Sequence, residues 1–341
     1  MAQINKPTDY FETTTYTGGA TDVSSLSFQP DFVWVKKRDG TENHGLFDAV
    51  RGATKTINSN TTSAESTRSG SLTSFDNDGW SMGGSDGIIS APGSNYVGWS
   101  WKANGTGSAN TDGSISSTVS ANTTSGFSIV KYVSNGTAGA TVGHGLGVAP
   151  KMVITFNLAG EDNWGIGHSG LSSWDYYLQF NTSAQANSQN VWNDTAPSTS
   201  LVTLGDNGRS NSSNNRNYIM YAFAEKQGYS KFGSYTGNNN DDGAFVYTGF
   251  KPAFVMVKMI NGADDWQILD NKRSPHNIVG GYLLPNSSSA TINNDVIDFT
   301  ATGFKLRKTF GSWNHSSYQY LYMAFAEESF VSSSGVPATA R

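Results

Sequence analysis

Two acid–base pairs sit at one offset from a proline. Asp48 follows Pro30 by 18 residues, Asp270 follows Pro252 by 18, and each is trailed three residues later by an arginine, Arg51 and Arg273. A carboxylate beside a guanidinium both accepts from and donates to vicinal hydroxyls, which makes the pairs glycan-binding candidates. The competing reading is an ion pair that fixes the loop after a strand, where Asp also serves turns well. A third proline in the series, Pro150, has His168 and Leu171 at those positions.

Four residues earlier, 14 after each proline, stand His44, Trp164 and Trp266. An exposed aromatic ring there offers a platform for the apolar face of a pyranose; a buried one fills a core. Trp174, Trp192 and Trp313 lie in Ser/Asn-rich, loop-like contexts, GLSSWDYY, NVWNDT and GSWNHSS. Such rings suit saccharide binding or subunit contact. The candidate binding set is therefore Trp174, Trp192, Trp266, Trp313, Asp48, Arg51, Asp270 and Arg273.

Other chemistries find less footing. Acidic pairs occur at Glu161/Asp162, Asp241/Asp242 and Asp264/Asp265, without the spacing and closing Glu of a calcium loop. Two of them sit in the matched turns AGEDNW and NGADDW, where Asp and Gly are turn formers. His44, His144, His168, His276 and His315 form no short-range metal pattern. Ser169, in GHSGL, lacks the strand-to-helix setting of a nucleophile elbow. Asp48, Glu225, Asp270 and Glu327 are carboxylates that a glycosidase would need in opposed pairs, and sequence gives no distance between them. GHGLG (143–147) has no following Lys-Ser/Thr for phosphate. The expectation is no enzyme, no metal and no cofactor.

The elements that must carry these residues repeat. SFQPDFVWVK (27–36), GVAPKMVITF (147–156) and GFKPAFVMVK (249–258) each set Pro before an apolar run, and YVGWSWKA (96–103), YIMYAFAE (218–225) and YLYMAFAE (320–327) recur at matching intervals. FDNDGW (75–80) and FTATGF (299–304) mark the outer copies. Tyr16, Tyr132 and Tyr235 head a further related strand in each. Within a copy the apolar pattern has period two with both faces apolar, the mark of strands buried on two sides. Three tandem β-sandwich modules of about 100 residues are expected, all-β, with boundaries at 1–104, 126–227 and 228–331. Residues 105–125, rich in Gly, Ser, Thr and Asn, read as a linker, and 332–341 as a flexible tail.

Composition agrees and excludes. The 38 Gly among 341 residues, with dense Ser, Thr and Asn, favour turns over helices. Net charge of -5 supplies no basic field for nucleic acid. Zero Cys excludes disulfides and thiolate chemistry. No window approaches the roughly 20 apolar residues that span a bilayer, and the N-terminus lacks a secretory h-region, so membrane insertion is not expected.

The segments FQPDFVWVKKRDGTENHGLFDAVRGATKTINSN (28–60) and GTAGATVGHGLGVAPKMVI (136–154), with the YAFAE and YMAFAE endings, resemble repeats in virion structural and tail-fibre proteins of marine tailed bacteriophages. The resemblance covers most of the chain. It implies concanavalin-A-like, SPRY-like or jelly-roll sandwiches and a place on the virion exterior, and it brings no catalytic residues. The expected function is a non-enzymatic tail fibre or appendage component contacting the host surface, with other virion proteins and a surface glycan or receptor as partners and a homotrimer as assembly. The alternatives are a capsid decoration or head-fibre protein and, with least support, an envelope polysaccharide depolymerase.

Overall fold

The computed structural model describes residues 3–213 and 215–329, and they are nearly all β. Helix is confined to single turns at Pro7–Asp9 and Gly311–Asn314. One antiparallel strand order recurs three times. Phe11–Thr17, Asn95–Trp101, Phe32–Lys37 and Gly45–Asp48 lie side by side; so do Phe127–Val133, Asn217–Phe223, Met152–Asn157 and Gly165–His168; so do Ser230–Thr236, Gln319–Ser329, Phe250–Met259 and Gln267–Asp270. Each copy of this pattern faces a second sheet of its own, of three strands around Gly79–Met82, two including Leu201–Leu204 and four including Gly303–Leu306.

Both faces of each four-strand pattern are buried, against different partners. In Phe32–Lys37, Val33 and Val35 pack with Phe47, Trp80 and Tyr96 towards the second sheet. Phe32 and Trp34 point the other way, into a core drawn from all three copies. Val255 and Val257 against Phe254 and Met256 split identically in the last copy. This alternation is the period of a strand, and it explains why neither face reads as polar.

The shared core is aromatic. Trp101 meets Phe223, Phe254 and Phe325 with ring centroids 5.6–6.3 Å apart, and Phe32 meets Tyr221 at 4.5 Å. Each such ring buries enough apolar surface to contribute about 1.5–3 kcal/mol, with roughly 0.5–1.5 more for a well-set aromatic pair.

A tyrosine pair marks each copy. Tyr16 stacks on Tyr96, Tyr132 on Tyr218 and Tyr235 on Tyr320, at 5.1–5.4 Å and 15–17° between planes. Each couple stands directly opposite across its two strands. The second hydroxyl of each donates back to a loop carbonyl, of Gly87, Gly208 or Gly311, and takes a backbone N–H from Ala91, Ser212 or His315. One short phenol therefore fixes the loop entering its strand.

Two segments differ from their sequence reading. Residues 105–125 carry strands of the middle sheet: Ser117–Asn122 pairs antiparallel with Phe127–Val133, and Ser108–Asn110 pairs antiparallel with Ser117–Asn122. The segment's Ser, Thr and Asn side chains give little apolar signal, because backbone pairing is joined by only two buried apolar anchors, Ile115 and Val119. Pro30 and Pro150 precede their strands, but Pro252 is the third residue of Phe250–Met259, where pairing slips on both sides of it. A residue with no N–H is accommodated there by a bulge. The tail at 332–341 lies outside the described residues. Near the ends, Ile4 N–H donates to Gln227 O at 3.0 Å and Ser329 Oγ to Asn5 O at 3.4 Å, so the two ends of the described chain meet.

Candidate functional site

The offset-18 residues are brought to the seams between copies. Asp48 Oδ1 accepts from Arg51 N–H at 2.9 Å; its Oδ2 accepts from Arg51 Nε at 2.5 Å and from the Tyr221 hydroxyl at 2.8 Å. Asp270 repeats this with Arg273 N–H at 2.8 Å, Arg273 Nε at 2.6 Å and the Trp99 indole N–H at 3.1 Å. Trp99 and Tyr221 are both the fifth residue of their strands, Asn95–Trp101 and Asn217–Phe223. The ion-paired side chains are 0–1% exposed. Burial opposes the Arg51 charge, yet the adjacent Asp48 carboxylate holds its pKa above the ordinary value. Burial likewise pushes the Tyr221 phenol well up.

His168 holds the same place in the middle copy. Its Nδ1 accepts from Gly170 N–H at 2.8 Å, so Nε2 carries the proton and donates to Tyr322 O at 3.2 Å. The contacts run in a cycle: first copy to middle, middle to last, last to first.

The offset-14 residues run the opposite way around. His44 Nε2 donates to Leu284 O at 3.0 Å while its Nδ1 accepts the Trp34 indole N–H at 2.8 Å. Trp164 Nε1 donates to Thr61 O at 3.1 Å and Trp266 Nε1 to Gln179 O at 2.9 Å. Burial lowers the pKa of His44 well below its usual value and that of His168 to about 4.

The aromatic binding candidates are therefore corrected in three of four cases. Trp192 and Trp266 are fully buried and Trp313 is 1% exposed. Around Trp192 the polar neighbours face solvent, but Ser312 and Asn314 beside Trp313 and Gln267 beside Trp266 are buried with their indoles, which local composition does not reveal. Trp174 is half-buried, lies over Gly167 and meets Trp192 edge-on at 5.9 Å. Asp48, Arg51, Asp270 and Arg273 lie out of solvent's reach as well. Nothing brings the eight residues to one surface.

The surface offers a hollow instead, of about 430 Å³, lined by Glu225, Lys226, Lys231, Tyr247, Thr248 and Gly249 among others. Lys231 Nζ and Glu225 Oε1 pair at 2.7 Å, each about one-third exposed. Lys226 Nζ is turned away to Thr123 O. Tyr247 is 62% exposed and Phe245, two residues before it on the edge strand Phe245–Tyr247, 49%. The signal in the sequence is the alternation Phe-Val-Tyr, with only its central residue needed inside.

A family described as a domain of unknown function, DUF7483, matches residues 6–329. The chain belongs to the DUF7483 family. No curated protein and no solved structure matches it. The match to DUF7483 runs from the turn at Pro7–Asp9 to the last strand, Gln319–Ser329, and so takes in all three copies of the strand pattern.

Among the described residues of this DUF7483 chain no three His, Asp or Glu converge as metal ligands. The acidic pairs bind their own surroundings: Asp264 accepts from Ser312 Oγ, Asp265 from Asn286 Nδ2, Asp241 from Thr309 N–H, and Asp242 pairs with Lys305. No helix among them is long and apolar enough to cross a membrane. Two buried lysines complete the repeat, Lys36 and Lys258, six residues after Pro30 and Pro252. Their amines donate to carbonyls, of Lys37 and Gly40 in one case and of Met259 and Ser183 in the other, and burial lowers both pKa values to about 8.

Proposed function

We propose that the chain is three tandem β-sandwich modules closed into a ring, and that it serves as a non-enzymatic component of a phage virion exterior, a tail-fibre or appendage part that contacts the host surface through glycans. The observation that carries this reading is the double cycle of seam contacts: Asp48 to Tyr221, His168 to Tyr322 and Asp270 to Trp99 one way, His44, Trp164 and Trp266 the other. The residues best equipped for acid–base chemistry are committed to holding one module against the next. A rigid body without cysteine suits a particle surface, and the resemblance of its repeats to virion proteins supplies the location. Weak single sites would gain from multiplicity on a particle.

Co-sedimentation of labelled protein with host cells, and separately with virions stripped of appendages, tests the reading. Saturable binding to cells that blocks phage adsorption is the expected result. Binding to particles alone favours the second reading, a capsid decoration or head-fibre protein, which the closed ring itself supports because it provides no shaft. Release of reducing sugar from envelope polysaccharide would overturn the non-enzymatic assignment. A homotrimer is expected for a fibre, and sedimentation velocity reads it directly.

A further inference from the structure

We propose that the hollow beside Tyr247 is a saccharide-binding site, with the Tyr247 ring as the platform for the apolar face of a pyranose and the Glu225–Lys231 pair as the acceptor and donor for its hydroxyls. The inference rests on the host-contact reading for its biological setting but not for its chemistry.

Three observations carry it. Tyr247 is the most exposed large apolar side chain among the described residues, at 62%, and it stands on the rim of a polar hollow rather than alone. The hollow's volume of about 430 Å³ lies within the roughly 300–1,000 Å³ range of small-ligand sites. Its charged pair is about one-third exposed, with Lys231 Nζ and Glu225 Oε1 2.7 Å apart; Glu225 Oε2 takes only a long bond from Phe232 N–H at 3.4 Å, so both partners keep hydrogen-bonding capacity towards solvent.

Comparison of the copies shows that folding does not require the aromatics. Val246 pairs with Phe304, Val23 with Trp80 and Val142 with Val202 at corresponding places in the second sheets, and all three valines are buried. Their chain neighbours are Phe245 and Tyr247 in the last copy, exposed Asp22 and Ser24 in the first, and half-buried Thr141 and buried Gly143 in the middle one. The valine is kept for the core, whereas the flanking pair is aromatic at only one of three places. Phe245 lies over Gly303 on the same face and extends the platform by one strand repeat, about 7 Å. That strip suits an oligosaccharide better than a single sugar.

Saturation-transfer NMR on the full chain with the methyl glycosides of glucose, galactose, mannose, fucose and N-acetylglucosamine is the test. Saturable binding of at least one glycoside is expected at about millimolar strength, typical of a shallow polar site. Tyr247→Ala is expected to weaken it about tenfold or more, while Tyr247→Phe keeps the ring and stays close to the parent. Glu225→Gln is expected to weaken it as well. Binding of none of the five, or equal binding by Tyr247→Ala, overturns the proposal. Tyr247 is exposed, so its loss leaves the core untouched. Glycoside binding unchanged in Tyr247→Ala, with adhesion to host cells retained, would sink this site and leave the host-contact reading standing; glycoside binding lost in Tyr247→Ala, without any cell adhesion by the parent, would uphold the site and sink that reading.

Discussion

Trp99 donates its indole N–H to Asp270, 171 residues further along the chain, and that bond joins the first copy of the strand pattern to the last. It and its counterparts add directional contacts to the aromatic core that the three copies already share. The equivalent place in Asn217–Phe223 holds Tyr221, which donates to Asp48. Two different donors at one position meet equivalent aspartates, Asp270 and Asp48, which identifies the seam rather than the donor side chain as the repeated feature.

Asp48→Asn is therefore expected to destabilise the protein by about 3 kcal/mol, because it leaves the buried Arg51 charge with only its longer, 3.3 Å contact to Glu65. Tyr221→Phe is expected to cost about 1.5–3 kcal/mol, the range for a hydrogen bond to a charged group. Guanidinium unfolding of both single variants and the double variant measures their coupling, which is expected to exceed about 0.5 kcal/mol for groups in direct contact. Strict additivity would contradict the seam.

Acid should loosen the same seams. His168 has a folded pKa of about 4 against 6.5 when unfolded, so between those values the unfolded chain binds the extra proton and stability falls as pH drops. The loss amounts to about 3 kcal/mol for this one residue. His44 acts in the same direction, with Lys36 and Arg273 adding to the cost of its charge. Melting temperature followed from pH 7 to 4 should decline, and His168→Gln should flatten the decline. An unchanged slope in that variant would remove His168 from the account.

Alkali should do the reverse over a narrow window. Below pH 8 the folded and unfolded chains both carry the protons of Lys36 and Lys258, and the cost of burying those charges is fully present. From about 8 to 10.5 the folded chain has released protons that the unfolded chain retains, so stability rises with pH. Above about 10 the buried tyrosines Tyr16, Tyr132 and Tyr235, whose pKa values are raised chiefly by burial, reverse the trend. Melting curves should peak between pH 9 and 10 in the parent, a rise of about 1–3 kcal/mol, and a Lys36→Met/Lys258→Met variant should lack the rise.

Tryptophan accessibility checks the placement of the indoles. Of the nine, Trp174 is half-buried and the others are at most 3% exposed. Iodide should quench one minor component of the emission, and Trp174→Phe should abolish it. Strong quenching that persists in Trp174→Phe would mean that Trp192 or Trp313 reaches solvent after all.

The repeat and the β class were legible because strands buried on both faces leave long apolar runs, and the Pro and Tyr markers kept their register through every copy. The seam residues were also legible as positions, through their common offsets of 14 and 18 from proline. Their role was not, since a carboxylate three residues before an arginine looks the same whether it faces sugar or Tyr221. Trp192 and Trp313 misled for a related reason: Ser and Asn suggest an exposed loop, yet Ser312 and Asn314 are themselves buried and hydrogen-bonded, to Asp264 and to Asn240 O, and both indoles answer to sheets distant in sequence. Ser117–Asn122 escaped notice because it pairs its backbone with Phe127–Val133 while sending a single large apolar residue, Val119, into the core. Tyr247 carried a readable signal, an outward aromatic beside a valine that alone is needed inside.

The meeting of Asn5 with Ser329 bears on how the body can be handled and mounted. A short bridge between those residues would close the backbone on itself, and new termini could then be opened in an exposed turn such as 123–124, giving a circular permutant with the same sheets. For the same reason the whole unit can be grafted into a surface loop of another protein through a single point of attachment. Pulled at those two residues, it would hang from one corner and swing as a single piece.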